Sequence, residues 1–175
     1  MQEIIILNHK TFSAIIERYQ KPIIALLYKM VHSWETARDL AQDTFLKLWD
    51  NRKKIDLSKP LFTYLYKIAM NLSIDYLRKA KFEFANTDQL NIADEANPDF
   101  SFELAQIIRN CCSKLRPKQK AVFVLRDLEG MDFVTIQKVL NEPLNNIHNN
   151  LSLARKNIKN MLEIEYNITK DFFYD

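Results

Sequence analysis

Apolar residues recur every three or four positions along most of this chain, and that period predicts α-helices rather than strands. The first predicted helix spans 12–30, with Thr11 as its N-cap. Pro22 lies inside it and should kink or split the helix. The second spans 34–53, with Ser33 as its N-cap. Two consecutive amphipathic helices are therefore expected near the start of the chain.

The third predicted helix, 60–81, begins at a proline, a residue favoured in the first helical turn. Its core-facing stripe is predicted to hold Leu61, Leu65, Ile68, Leu72 and Tyr76. Its other faces combine aromatic and cationic side chains, namely Phe62, Tyr64, Tyr66, Lys67, Arg78, Lys79 and Lys81. Aromatic rings can stack on unpaired bases while cations hold the backbone, so this helix is a candidate for binding single-stranded nucleic acid. A core role for some of the aromatics, with the cations on a solvated face, is an equal alternative.

The composition changes after the third helix. Residues 82–108 contain no Lys or Arg but six Asp or Glu, together with several Asn and a Pro. Such a stretch is typical of a poorly ordered linker. The chain is therefore divided into a first domain, 8–82, an acidic linker, 83–102, a second domain, 103–165, and a tail, 166–175.

The second domain is also predicted to be helical. Its helices are expected over 102–116, 117–129, 133–140 and 146–165. Gly130 lies where a left-handed C-cap is expected, and Asp132 and Asn145 are the predicted N-caps of the last two helices. A short helix, a tight turn and a longer helix that starts with polar residues form a helix-turn-helix pattern. The predicted fold is all-α, with two small helical domains.

Composition excludes several kinds of site. A single glycine in 175 residues rules out the glycine-rich loops that cradle phosphates or dinucleotides. Cys111 and Cys112 are adjacent and are expected to be free thiols in a reducing cytosol, one of them buried on a helix. With three scattered histidines, no metal site, cofactor or small-molecule substrate is expected. Without an apolar run of membrane-spanning length or a signal peptide, the expected location is the cytoplasm.

The sequence offers one pair of candidate catalytic residues and one segment of candidate DNA-contacting residues. Asp39 and Asp43 are paired carboxylates at i, i+4, but Arg38 and Lys47 nearby favour a solvated charged face, so no enzyme activity is predicted. A net charge of +3 does not by itself indicate nucleic-acid binding. The start of the last helix is rich in asparagine, which can pair with adenine in the major groove. N-capping and a plain polar face are the alternative.

Three segments, taken together, resemble a known family. Residues 39–49 look like the core-binding helix of region 2 in extracytoplasmic-function (ECF) sigma factors of the sigma-70 family. Residues 60–79 are similar to their promoter-melting and −10 segment. Residues 115–131 and 154–158 resemble the opening and the close of region 4. The resemblance covers about residues 10–162, and the order and separation of the segments make it specific.

The resemblance implies a role for each segment. The chain would bind core RNA polymerase, at the clamp of the largest subunit, through Asp39, Gln42, Asp43 and Lys47. It would open and hold the −10 strand through Phe62, Thr63, Tyr64, Lys67, Asn71, Arg78 and Lys79. It would read the −35 element through Asn145, Asn146, His148, Asn149, Ser152, Arg155 and Lys156. The implied partners are core polymerase, promoter DNA and an anti-sigma factor, and the implied function is promoter recognition, DNA melting and transcription initiation.

The chain departs from the family pattern in its second domain. The family's recognition helix usually carries several Lys or Arg in its first turns, where this chain has asparagines, His148, Ser152 and Leu153. Fewer phosphate contacts reduce electrostatic affinity, so −35 binding is expected to be weak or shifted towards A·T-rich DNA. An alternative is therefore a sigma-like, polymerase-binding regulator with weak or absent −35 readout. A plain helix-turn-helix repressor would explain the second domain but not the first.

Overall fold

The computed structural model describes residues 7–55, 60–84 and 100–166, with side chains for 7–55, 60–81 and 106–166. Within these ranges the chain is helical, as the periodicity predicts. The α-helices are α1 His9–Val31, α2 Trp34–Asp50, α3 Leu61–Phe84, α4 Phe100–Ser113, α5 Pro117–Phe123, α6 Phe133–Leu140 and α7 Leu144–Tyr166. A 3-10 turn, Arg52–Lys54, follows α2, and a π turn, Val124–Leu128, follows α5.

Helices α1, α2 and α3 pack together as the first domain. The predicted N-cap of α2 is confirmed, because the Ser33 hydroxyl accepts a hydrogen bond from the Thr36 amide at 3.2 Å. The predicted N-cap of α1 is wrong. The helix begins at His9, and the Asn8 side chain accepts from the amide of Thr11 at 2.9 Å. The helix also continues through Pro22 instead of splitting there.

Helix α3 is buried on two adjoining faces. One contains Leu65 and Ala69, and the other contains Tyr66, Met70 and Ile74. The single predicted stripe is therefore only partly correct, since Tyr76 is 40% exposed. The second face arises because α3 contacts α5 and α6 of the second domain as well as α1 and α2.

The second domain contains α4 to α7. Pro117 opens α5, which passes directly into the π turn. Gly130 then adopts φ +68°, as predicted for a left-handed C-cap, and the Asp132 carboxylate caps α6 by accepting from the Thr135 amide at 2.8 Å. Between α6 and α7, Asn141 is left-handed at φ 52°. Helix α7 begins at Leu144, so Asn145 lies inside its first turn and is not the N-cap.

The two domains share one connected apolar core. The ammonium group of Lys29 on α1 forms an ion pair of 2.6 Å with the carboxylate of Glu129, just after the π turn. Both cysteines on α4, Cys111 and Cys112, are buried and free, whereas only one was expected to be buried. Helices α3 and α4 extend a few residues into the predicted linker 83–102; its centre and most of the tail lie outside the described residues. Among the described helices, none has the length and apolar character of a membrane span.

Candidate polymerase and nucleic-acid interfaces

The outer face of α2 is polar. Asp39, Gln42 and Asp43 are exposed at i, i+3 and i+4, which places them on one helix face. Within the described part of the chain, none of these three side chains forms a hydrogen bond or an ion pair. Leu46, the next residue on this face, is 58% exposed. The face is thus a polar surface around one exposed apolar side chain, a composition suited to binding another protein.

Lys47 lies at the edge of that face, one turn after Asp43. It lines a crevice of about 430 Å³ where α2 and α3 meet the second domain. Asn71, Asp75 and Arg78 of α3 line the same crevice, opposite Lys118 and other residues of the second domain. Lys47 is therefore grouped by the structure with residues expected to contact DNA.

Three of the expected −10 residues lie on one side of α3. Lys67, Asn71 and Arg78 occur at i, i+4 and i+11 and share one side of the helix. Asp75 lies on that side too, and its carboxylate is 3.5 Å from the Arg78 guanidinium in a solvent-exposed pair. Lys79 is exposed outside the crevice, and Thr63 and Tyr64 are half-buried in the first turn. A line of polar and cationic groups thus runs along α3, with one carboxylate within it.

Phe62, another expected −10 residue, packs against Tyr66. Their ring centroids are 4.0 Å apart, and Tyr66 is only 4% exposed. Burial, together with the nearby carboxylate of Glu129, raises the pKa of Tyr66 to about 12. Tyr66 is therefore a core residue in this structure, in agreement with the alternative considered for the aromatics of this helix, and it is not available for stacking on bases.

All seven expected −35 residues are exposed on α7, but three of them already have contacts within the protein. The amide of Asn146 donates to the Glu142 carboxylate at 3.2 Å. His148 packs against the Phe133 ring at 4.3 Å between centroids. The guanidinium of Arg155 donates two hydrogen bonds to Asp127, of 2.9 and 2.6 Å, and this contact raises the pKa of Arg155.

The other four side chains form a single outward line on α7. Asn145, Asn149, Ser152 and Lys156 stand at i, i+4, i+7 and i+11, opposite the buried residues of the helix. No hydrogen bond or ion pair to a described residue occupies these side chains. The line therefore presents two amides, a hydroxyl and an ammonium group to an external partner.

Two exposed apolar residues of the helix-turn-helix were not among the predicted site residues. Leu153 on α7 is 48% exposed beside the outward line, and Val134 on α6 is 58% exposed. Apolar side chains can contact the methyl group of thymine in the major groove. Hydrophobic periodicity can identify such residues, because both fall on the polar side of their helices.

Comparison with known proteins identifies two regions of one family along the chain. Residues 15–83 match the Sigma-70 region 2 family, and residues 105–158 match the Sigma-70, region 4 family. The chain is 30% identical over 169 residues to the ECF RNA polymerase sigma factor SigW of Bacillus subtilis, a match that covers 89% of this chain and 90% of the relative. It is 26% identical over 170 residues to the ECF RNA polymerase sigma-E factor of Haemophilus influenzae, covering 89% of each.

Solved structures share the fold. The sigma factor RpoE from Bartonella quintana, crystallised with the anti-sigma factor NepR, superposes with a TM-score of 0.69 at 20% identity, over 89% of this chain and 99% of that one. CnrH, in complex with the cytosolic domain of CnrY, gives a TM-score of 0.64 at 20% identity, over 89% and 90%. Two region matches in the order of the two domains, and a relative aligned over nearly the whole chain, establish the family. The chain belongs to the ECF sigma factors of the sigma-70 family, which direct RNA polymerase in promoter-specific transcription initiation.

Proposed function

We propose that this sigma factor acts through three surfaces, each on a different helix: the polar face of α2 for core polymerase, the line along α3 for the −10 strand, and the outward line of α7 for the −35 element. The observation that carries the proposal is the α7 line. Four exposed polar side chains, with no hydrogen-bond or ion-pair partner among the described residues, lie on the second helix of a helix-turn-helix. There they present donors and acceptors where a major groove would lie. The match to both regions does not favour the alternative of a regulator without promoter readout.

The α2 surface is assigned to the clamp of the largest polymerase subunit. Asp39, Gln42 and Asp43 supply polar contacts, and Leu46 supplies an apolar one at the centre of the face. Hot spots of protein interfaces are side chains that become fully buried on binding, surrounded by polar ones. Leu46 fits that description better than the flanking carboxylates do.

On α3, Lys67, Asn71 and Arg78 are assigned to the backbone and bases of the melted −10 strand, with Tyr64 and Thr63 at the start of the helix. The cations would neutralise phosphates and the ring would stack on a base. Lys47 joins this group because it lines the same crevice as Asn71 and Arg78.

On α7, base edges are assigned to Asn149, with Asn145 and Ser152 on either side along the helix, and a phosphate is assigned to Lys156. Asparagine pairs bidentately with adenine, and the neighbouring Leu153 can contact a thymine methyl group. This set favours an A·T-rich −35 element.

The decisive experiment is in vitro transcription from a promoter library, with core polymerase and either the wild-type chain or a variant. Wild type should enrich a defined −35/−10 pair. Asn149→Ala should relax selection at one −35 position by about 1–3 kcal/mol and leave polymerase binding unchanged. Asn160→Ala, an exposed amide three turns further along α7, is the matched control. Leu46→Glu should reduce polymerase binding and therefore lower transcription from all promoters.

Two results would contradict these assignments. Enrichment of the same −35 sequence by wild type and Asn149→Ala would remove Asn149 from base readout. Polymerase binding without enrichment of any promoter would reinstate the regulator alternative.

An anti-sigma partner is part of the proposal. Its support is that the sigma factor RpoE from Bartonella quintana, which shares this fold, was crystallised with an anti-sigma factor. In addition, apolar side chains are exposed on both domains, among them Leu46 and Val134. We also assign the chain to the cytoplasm, with catalysis left to the polymerase. Co-purification of the tagged chain from the native cell should recover such a partner. Recovery of polymerase alone, under conditions in which the promoters of this sigma factor are silent, would argue against an anti-sigma factor.

A further inference from the structure

A carboxylate lies at the turn between the two helices of the helix-turn-helix. The chain changes direction at Asn141, which is left-handed at φ 52°, and Glu142 follows directly. Glu142 precedes α7 by two residues, and its side chain is 22% exposed. The carboxylate therefore lies beside the first turn of the helix assigned to the −35 element.

Lys118, in the first turn of α5, binds this carboxylate. Its ammonium group donates a hydrogen bond to Oε1 of Glu142, across 24 residues of sequence. The hydrogen bond from Lys118, and after it one from Asn146, lowers the pKa of Glu142 below its ordinary value. Glu142 is therefore ionised at neutral pH, and an ionised carboxylate only accepts hydrogen bonds.

The second oxygen of the carboxylate orients an amide on α7. Asn146 donates through Nδ2 to Oε2 of Glu142 at 3.2 Å. The reversed amide would bring its oxygen against a carboxylate oxygen with no hydrogen between them, so the orientation follows from the charge of Glu142. The Oδ1 atom of Asn146 lies on the opposite arm of the planar amide and accepts no hydrogen bond from a described residue. Asn146 thus offers an acceptor in a fixed orientation.

This acceptor is placed next to the outward line of α7. Asn146 is exposed and shares one row of the helix with Leu153, seven residues later. The backbone carbonyl of Asn146 accepts from the Asn150 side chain at 2.9 Å, so the next amide in the row is bound to the helix itself. A major groove that receives Leu153 would therefore also receive the amide oxygen of Asn146.

A fixed acceptor can distinguish bases in the major groove. Adenine and cytosine present amino groups there, whereas guanine and thymine present carbonyl oxygens at the corresponding edge. Every base pair has one base of each kind, so an acceptor reads which of the two strands carries the amino base. An asparagine that is free to turn its amide over can pair with either kind and loses this discrimination.

We propose that Glu142 is a specificity-determining positioning residue: held by Lys118, it fixes the amide of Asn146 so that adenine or cytosine is selected on the contacted strand at one −35 position. The role rests on the proposed function of α7. It adds a base contact at Asn146 to those assigned to Asn149 and its neighbours.

The test is in vitro transcription from a −35 promoter library, with core polymerase and either the wild-type chain or a variant. Asn146→Ala identifies the position that Asn146 reads, because selection should relax there and remain where Asn149 reads. At that position, wild type should favour adenine and cytosine over guanine and thymine by about fivefold, the scale of one net hydrogen bond. Glu142→Ala frees the amide and should remove this preference, while the selection that depends on Asn149 remains.

The matched control is Glu163→Ala, which removes the same charge from α7 and breaks the ion pair of 4.0 Å with Lys159. It should leave selection at both positions unchanged. A merely structural role of Glu142 predicts a different result, because a displaced α7 would weaken the selection by Asn149 as well.

An exchange of side chains provides the rescue. Glu142→Gln combined with Asn146→Asp keeps the net charge and places a carboxylate, which only accepts hydrogen bonds, at position 146 beside a glutamine that can donate to it. The preference for adenine and cytosine should therefore return.

The outcomes separate this role from the function of α7. Relaxation of no position by Asn146→Ala, equal losses at both positions in Glu142→Ala, or no preference in the exchange variant would overturn the proposal. If the selection by Asn149 is present and Glu142→Ala leaves every position unchanged, the positioning role alone fails. If wild type enriches no −35 sequence, the assignment of α7 fails and the role of Glu142 fails with it.

Discussion

Lys120 is a charged residue enclosed within the second domain. It is 2% exposed on α5, and burial lowers its pKa from 10.5 to about 8. Below pH 8 both the folded and the unfolded chain carry the proton, so the folded state bears the full cost of the buried charge. From pH 8 to 10.5 the folded chain releases the proton first, so the stability contributed by this residue rises with pH.

Lys120→Met should therefore stabilise the protein at pH 7, by on the order of 1–3 kcal/mol, and the advantage should shrink by about 1 kcal/mol at pH 9. Urea unfolding of the wild type and of Lys120→Met at these two pH values measures the difference in the free energy of unfolding. Measurement should stop at pH 9, because burial raises the pKa of Cys112 to about 12 and its ionisation in the unfolded chain then favours unfolding. Lys138→Met, at an exposed site in the same domain, should show no such pH dependence. A gain that does not change with pH would mean that Lys120 is solvated in solution.

At the residue scale, caps with a specific backbone requirement are predictable from sequence. Gly130 has a positive φ and Asp132 caps α6, both as expected. Thr11 and Asn145 were wrong as caps because a capping side chain is favourable at any of several neighbouring positions, and packing decides where the helix begins. Asn8 caps α1 three residues before Thr11, and α7 begins at Leu144, directly after a proline.

At the element scale, Pro22 is a residue of α1 that disfavours the helix and, being exposed, is not part of the core. Pro22 is exposed in the middle of a continuous helix, where its ring removes the hydrogen bond to the carbonyl of Arg18 and crowds that group. Pro22→Ala should raise the free energy of unfolding by about 1–3 kcal/mol. Part of this gain is offset, because alanine gives the unfolded chain more conformational entropy than proline does. Denaturant titration measures the change, and the neighbouring exposed variant Lys21→Ala should alter stability by only a few tenths of a kcal/mol. A loss of stability would mean that the ring contributes packing that outweighs the missing bond.

Helix α3 shows which features hydrophobic periodicity can predict and which it cannot. Its type and position were predicted well, and Leu65 is buried as expected. The sequence left two alternatives open for Tyr66, and the structure supports the core role. Hydrophobic periodicity could not decide between them, because it reports one buried stripe and carries no information about a second domain that packs from another side. The same limit applies to the candidate −35 surface, because contacts with residues distant in sequence are not visible in the pattern. The seven residues expected to read the −35 element all lie on α7, but the sequence did not show that some of them, such as Arg155 with Asp127, already have partners within the protein.

At the scale of the whole molecule, the salt dependence of promoter binding depends on which cations are unpaired. Each phosphate contact contributes a slope of about −0.9 to the logarithm of the binding constant against the logarithm of salt concentration. On α7, Lys156 has no ion pair to a described residue, whereas Arg155 is held by two hydrogen bonds to Asp127. Lys156→Ala should therefore reduce the magnitude of the slope by about 0.9, and Arg155→Ala should reduce it less.

Fluorescence anisotropy of the holoenzyme on duplex −35 DNA, between low and moderate salt, measures both slopes, with Lys138→Ala as the exposed control on α6. Equal reductions for the two variants would mean that Arg155 leaves Asp127 for a phosphate on binding, so that the Asp127 contact holds the guanidinium only in the free protein.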